Sequence, residues 1–197
     1  MAASGIEKQR VLILGARANG HASVVLDILD AQGVAVAGFL DDDPAKWGQS
    51  IRQRPVLGGL DGLVEWSQRL GVTGAIGAVA SNAQRRAWIA LIRQAGLLPI
   101  NAIHPTAHLA SNVTLGVGIC ICPGVIVMTG ARLGDAVTLY TAATVDHDCV
   151  LADGVNLSPG VLYQYDAAAA EDLKKYDRRI EEIRARKPVE DFVQALV

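Results

Sequence analysis

Aromatic residues make up only 5% of the 197 residues, and the two charge signs nearly cancel, with 18 Lys and Arg against 20 Asp and Glu. The first scarcity leaves Ala, Val, Leu and Ile to fill the core, which points to thin, repetitive packing. The second removes the overall positive field that would attract nucleic acid or an anionic membrane. No run of about 18 uncharged apolar residues occurs, so no membrane-spanning helix is expected. The first ten residues also lack the apolar stretch of a signal peptide, which makes a cytoplasmic location the expectation. Cys120, Cys122 and Cys149 form no paired CxxC motifs. Neither a disulfide framework nor a structural zinc site is therefore expected, and the thiols read as reduced. What is present in quantity is apolar: 51% of residues are hydrophobic and 19% charged, enough burial to offset the entropy of ordering a chain.

From Val11 to about Leu98, short aliphatic runs alternate with longer amphipathic segments. Val11 to Leu14 reads as a buried strand, and His21 to Gln32 as a helix with Val24, Val25, Ile28 and Leu29 on its apolar side. Val34 to Leu40 reads as a second strand, stopped by Asp41, Asp42, Asp43 and Pro44. Val56 to Gly58 and Gly74 to Val79 are further strands, Leu60 to Leu70 and Asn82 to Ala95 further helices. This alternation predicts βαβ units around a parallel sheet.

From Ile103 to Val161 the period changes to six. Leu109, Leu115, Ile121, Val127, Leu133, Leu139, Val145, Leu151 and Leu157 form one register. Two residues before each lies a small or β-branched partner, from Ala107 and Val113 through Cys149 to Val155. Neither a helix nor a single sheet has that period. A triangular solenoid of 18-residue coils does, and the spacing predicts about three coils with inward aliphatics and glycine corners, Gly116, Gly118, Gly124, Gly134, Gly154 and Gly160 among them. Cys149 falls in an inward slot and reads as a core residue. Beyond about Asp166 the hexad ends, and Leu173, Tyr176, Ile180 and Ile183 predict one amphipathic helix that Pro188 stops.

The glycine-bearing turn from Gly15 through Asn19, Gly20 and His21 to Ala22, taken with hexads that reach Val145, Asp146, His147, Asp148 and Cys149, resembles the sugar O- and N-acetyltransferases over about residues 10–161. These are the enzymes of the sialic acid O-acetyltransferase and nucleotide-aminosugar N-acetyltransferase type. The resemblance implies an α/β N-terminal Rossmann-like βαβ domain over 1–102 that holds the nucleotide sugar. It further implies a short left-handed parallel β-helix over 103–163 and a C-terminal helical cap over 164–197. It implies a homotrimer that binds acetyl-CoA as co-substrate between neighbouring subunits. The family's solenoid continues for several more coils, whereas here a helical pattern follows Val161.

A glycine turn feeding a helix N-terminus brings N–H groups to a phosphate, so Asn19, Gly20 and His21 would face the sugar nucleotide's diphosphate. Arg17 either adds a phosphate contact or points to solvent. Asp41 and Asp42, at the tip of the second strand, either bond a ribose or base edge or form a solvated turn. Gly77 with Asn82 and Arg85 is similar to the family's strand-end glycine and Asn-x-x-Arg helix start. The resemblance names His147 as general base for acetyl transfer to a sugar amine or hydroxyl, and Asp146 or Asp148 would fix its tautomer. Asn156 stands where the family has a second histidine near the thioester carbonyl, and with Ser158 and Gly160 it is assigned to acetyl-CoA. The histidine spacing places no three together for a metal. A noncatalytic sugar-nucleotide-binding or scaffold protein is the alternative.

Overall fold

Val11, Leu12, Ile13 and Leu14 are all fully buried, as a strand covered on both sides requires. In the computed structural model, which describes residues 9–164, they lie in β1 (Arg10–Leu14). With β2 (Ala35–Leu40), β3 (Ser50–Ile51), β4 (Arg54–Gly58), β5 (Gly74–Gly77) and β6 (Leu98–Pro99) it forms a sheet of order β3-β4-β2-β1-β5-β6, parallel except for β3. Val11 and Ile13 pack in one cluster with Val25, Leu26 and Leu29 of α1 (His21–Ala31). Leu12 and Leu14 join the other cluster, with Leu63 of α2 (Leu63–Leu70) and Trp88 and Ile92 of α3 (Asn82–Gln94). Each such aliphatic contributes about 2 kcal/mol by leaving water. β1 sits between β2 and β5, so successive connections leave it on opposite sides and open a crevice at the carboxyl ends of the strands.

The βαβ expectation therefore holds, with local differences. The segment expected to be helical from Leu60 starts as a 3-10 turn, Leu60–Gly62, before α2. The strand expected over 74–79 ends at Gly77, and the antiparallel β3–β4 hairpin is an addition.

From Ala102 the chain forms eleven two-residue strands: β7 (Ala102–Ile103), β8 (His108–Leu109), β9 (Thr114–Leu115), β10 (Cys120–Ile121), β11 (Ile126–Val127), β12 (Arg132–Leu133), β13 (Thr138–Leu139), β14 (Thr144–Val145), β15 (Val150–Leu151), β16 (Asn156–Leu157) and β17 (Leu162–Tyr163). They stack as three parallel sheets, β16-β13-β10-β7, β17-β14-β11-β8 and β15-β12-β9. Every strand pairs with the one 18 residues on, for example Cys120 with Thr138 and Val127 with Val145. This is a triangular parallel β-helix of nearly four coils, one more than the hexad count suggested. Both aliphatic registers point inward: Ile121, Val127, Leu139 and Val145 are fully buried, and so are Ile119, Val125, Ala131, Val137 and Ala143. Cys149 occupies its inward slot, and all three cysteines are buried free thiols.

The corners repeat a single backbone feature. Every sixth residue from Gly118 to Gly160 has positive φ, including Ala136, Ala142 and Asp148. Gly116 and Gly134, expected to be turn glycines of the same kind, lack it. They serve close approach instead: a Cβ on Gly116 would lie 2.7 Å from the backbone carbon of Gly134 in the next coil and 2.5 Å from the Asp135 carboxylate. Gly116→Ala is accordingly expected to force the coils apart at a cost of about 1–3 kcal/mol. A fall of several degrees in the melting temperature checks this; an unchanged melt would show that the coil spacing relaxes freely.

One face of the β-helix is covered. The outward positions of the β7/β10/β13/β16 sheet are buried at Ala102, Cys120 and Thr138, whereas Ile126, Val150 and Leu162 on the other two sheets are 40%, 56% and 55% exposed. α1 and α3 supply the cover. Ile103 N–H donates to the Gln32 side chain at 3.1 Å, and Ile89 of α3 sits against Gly118. The helix expected over residues 166–197 lies outside the described residues.

Candidate functional site

The crevice at the strand ends is organised by Asp41. Its Oδ2 accepts the Ala16 N–H of the glycine turn at 2.7 Å, its Oδ1 accepts the Asp43 N–H at 3.0 Å, and Lys46 Nζ donates to both oxygens at 2.9 Å. Burial alone would raise this carboxyl; the bonds from Asp43, Lys46 and Ala16 outweigh it and hold the pKa below the ordinary value. Both oxygens are thus committed within the protein, so Asp41 ties the glycine turn to the end of β2 rather than presenting a carboxylate to a ribose. Asp42 is exposed, with Oδ1 accepting the Leu60 N–H at 2.9 Å. Asn19 and Arg17 are exposed, and the Arg17 aliphatic stem lies over Gly20, whose extended backbone caps α1. Gly77 has a packing reason to be glycine, since a Cβ there would come within 3.1 Å of the Trp88 ring.

His21, the first residue of α1, is packed against Tyr140 of the β-helix with ring centroids 5.8 Å apart. Neither buried ring nitrogen has a hydrogen-bond partner among the described residues. Burial, reinforced by the Arg85 charge, lowers its pKa to about 4. The ring is therefore neutral near pH 7, with one donor and one acceptor unused beside a helix N-terminus.

Arg85 is 2% exposed. Its guanidinium donates to the carbonyls of Val79 and Ala80 at 2.9 Å, Ala136 at 3.3 Å and Gly154 at 3.5 Å, and to the side-chain oxygens of Asn82 at 3.3 Å and Asn156 at 2.5 Å. No carboxylate pairs with it among the described residues. Burial lowers its pKa, but an arginine stays charged. This side chain joins the sheet domain to two coils of the β-helix. Asn156 completes the joint, donating from Nδ2 to Asn82 Oδ1 at 2.8 Å. Both ends of the Asn156 amide are therefore engaged on the covered face, which departs from the thioester contact expected of it. Ser158 and Gly160 lie exposed at the next corner.

His147 sits on a different corner, between β14 and β15, with Asp146 and Asp148 beside it as expected. Its Nδ1 lies 2.9 Å from Asp148 Oδ2, and its backbone N–H donates to Asp146 Oδ1 at 2.8 Å. The bond to Asp148, followed by the charge of Asp146, raises its pKa above the ordinary histidine value. An ionised Asp148 accepts from Nδ1–H, the tautomer in which Nε2 is the basic nitrogen. Within one chain the glycine turn, His21, Arg85 and Asn156 gather along the covered face, while His147 stands apart. Among the described residues no group of three His, Cys, Asp or Glu is placed to hold a metal, and no helix is long and apolar enough to cross a membrane.

Sequence reasoning gave Tyr140 no role and treated Arg85 only as part of a helix start. Partners more than 50 residues away leave no local periodic signal.

Residues 10–92 match the PglD N-terminal domain family. The structure is similar to the acetyltransferase domain of PglB from Neisseria gonorrhoeae FA1090 in complex with acetyl coenzyme A, at 30% identity over 79% of this chain and 73% of that one, with a TM-score of 0.68. It is also similar to a histidine-to-asparagine mutant of perosamine N-acetyltransferase from Caulobacter crescentus, in complex with CoA and GDP-perosamine. There the identity is 30% over 77% of this chain and 81% of that one, with a TM-score of 0.55. WeeI from Acinetobacter baumannii AYE shares the fold at 20% identity, covering 79% of this chain and 72% of its own, with a TM-score of 0.67. With a PglD-type N-terminal half, stacked hexapeptide coils and these relatives, the chain belongs to the family of sugar acetyltransferases built on a left-handed β-helix.

Proposed function

We propose that the protein transfers the acetyl group of acetyl-CoA to the amino group of a nucleotide-linked sugar, with His147 as general base; a sugar hydroxyl is the other acceptor the chemistry allows. The observation that carries this reading is the 2.9 Å contact of His147 Nδ1 with Asp148, which orients an exposed imidazole and makes Nε2 the basic nitrogen. His147 takes the proton that the amine loses as its nitrogen bonds the acetyl carbon. It returns that proton to sulfur as the carbon–sulfur bond breaks, releasing CoA as the thiol. Asp148 or Asp146 stabilises the intervening imidazolium.

In this reading residues 1–102 hold the nucleotide sugar, with the diphosphate against the turn of Asn19, Gly20 and His21. Ser158 and Gly160 belong to the acetyl-CoA strip; Asn156 joins them only by exchanging its bonds to Arg85 and Asn82. Since His147 and the glycine turn occupy different corners of one chain, a homotrimer would bring the His147 corner of one subunit to the sugar side of the next. The apolar outward residues Ile126, Met128 and Val150, each at least 40% exposed near that corner, support such a contact.

Isothermal titration with acetyl-CoA and with UDP- and GDP-linked amino sugars tests the reading. Binding of both substrates is expected. A protein that bound the sugar nucleotide and no acetyl-CoA would instead be the noncatalytic binder.

A further inference from the structure

An aromatic plane stands at the carboxyl ends of β2 and β4. Trp47 is 46% exposed, unusual for so large an apolar ring. The indole is nevertheless held in place. Its Nε1–H donates to the Asp41 carbonyl at 2.7 Å, and its backbone N–H closes the 3-10 turn Pro44–Lys46 on the Pro44 carbonyl at 3.1 Å. That turn is stiffened by Pro44, by the Asp43 carboxylate accepting the Ala45 N–H at 3.1 Å, and by Lys46 bridging Asp41 and Asp43. The ring edge lies against Gly59, where a Cβ would come within 3.3 Å of it.

Asp41 places this plane relative to the glycine turn. Its side chain accepts the Ala16 N–H of that turn, while its own carbonyl receives the indole. One residue and two hydrogen bonds thus link the indole to Ala16, at the start of the turn that runs on to the candidate diphosphate site at Asn19 and Gly20. The carboxyl ends of β1, β2 and β4 meet here, through Gly15 N–H on the Leu40 carbonyl at 2.7 Å and Asp41 N–H on the Gly58 carbonyl at 2.9 Å. A fixed, half-exposed aromatic ring tied through Asp41 to a phosphate turn offers what a heterocyclic base needs. With the Asp41 carboxylate spent inside the protein, base recognition falls to another group.

We propose that Trp47 is the stacking platform for the base of a nucleoside diphosphate whose phosphates lie on the glycine turn. The inference rests on the nucleotide-sugar reading above and adds to it the residue that holds the base. Stacking is tolerant of base identity because every base has a π face, so Trp47 supplies affinity and leaves discrimination between bases to edge contacts.

Titration of UDP, GDP and inorganic pyrophosphate into the wild type, Trp47→Phe and Trp47→Ala separates the possibilities. Trp47→Ala is expected to weaken nucleoside diphosphate binding about tenfold or more and to leave pyrophosphate binding unchanged, whereas Trp47→Phe stays within about threefold of the wild type. Nucleotide-induced quenching of indole emission, present in the wild type and lost in Trp47→Phe, reads the same contact without relying on the alanine variant. Equal nucleoside diphosphate binding by wild type and Trp47→Ala, or quenching that persists in Trp47→Phe, would overturn the assignment while leaving the nucleotide-sugar reading intact. A wild type that binds neither UDP nor GDP removes both.

Discussion

His147→Ala is expected to lower kcat by about a hundredfold or more, with the melting temperature and the binding of both substrates little changed. The size follows from what the side chain does: it is half exposed and fills no core position, so its loss acts chiefly by removing a proton acceptor. The pH profile sharpens the expectation. A base works in its neutral form, and both the Asp148 bond and the Asp146 charge raise the His147 pKa. The acid limb of kcat/KM should therefore lie above the ordinary histidine value of 6.5. Asp148→Asn removes the leading cause, so the limb should move to lower pH while kcat falls, because an amide stabilises the imidazolium less well. Asparagine tolerates the positive φ of 57° at this corner, so the backbone need not change. Wild-type turnover in His147→Ala would remove the histidine from the chemistry. A limb unmoved in Asp148→Asn would assign the pairing role to Asp146.

Arg85→Met is expected to cost about 3–5 kcal/mol of stability and about 10 °C in melting temperature. Methionine fills much of the same volume but leaves the carbonyls of Val79, Ala80, Ala136 and Gly154 and the Asn156 side chain without this donor, at a position where the residue is buried. Each acceptor left dry costs about 1–3 kcal/mol, less whatever water or relaxation recovers. The change also withdraws a positive charge from the neighbourhood of His21, so the pKa of that ring, held near 4 chiefly by burial and then by Arg85, should rise in an NMR titration. Arg85→Lys keeps the charge and loses the fork, so it should leave the His21 titration nearly in place while still losing stability. A fully stable Arg85→Met protein would show that water satisfies the joint.

Much of this architecture was legible in the residues. The nine hexad aliphatics lie inside the β-helix because a period of six admits few other solutions, and Val11 to Leu14 announced a strand buried on both sides. What escaped notice depends on geometry that a linear pattern does not carry. The β3–β4 hairpin turns through Arg52 and Gln53, both at positive φ, a conformation normally signalled by Asn-Gly or Gly. Gly116 and Gly134 read as turn glycines until the distance to the neighbouring coil showed what excludes a side chain. Asp41 carried the right address, at the end of β2, but its carboxylate serves the turn. The same limit applies to the candidate site. Flanking carboxylates around His147 were visible as neighbours in sequence, whereas the cluster of His21, Tyr140, Arg85 and Asn156 exists only after two differently built regions meet.

That meeting bears on how the chain reaches its native state. Contacts between successive coils join residues 18 apart, as in the Asp135 and Asp153 carboxylates that each accept an N–H from the preceding coil. The bond from Arg85 to Asn156 closes a loop of 71 residues. Short loops cost less entropy to close than long ones, so coils can zip onto one another one rung at a time while the joint waits for both sides to form. The buried guanidinium is therefore expected to leave water late in folding, after the coils that supply its distant acceptors have formed.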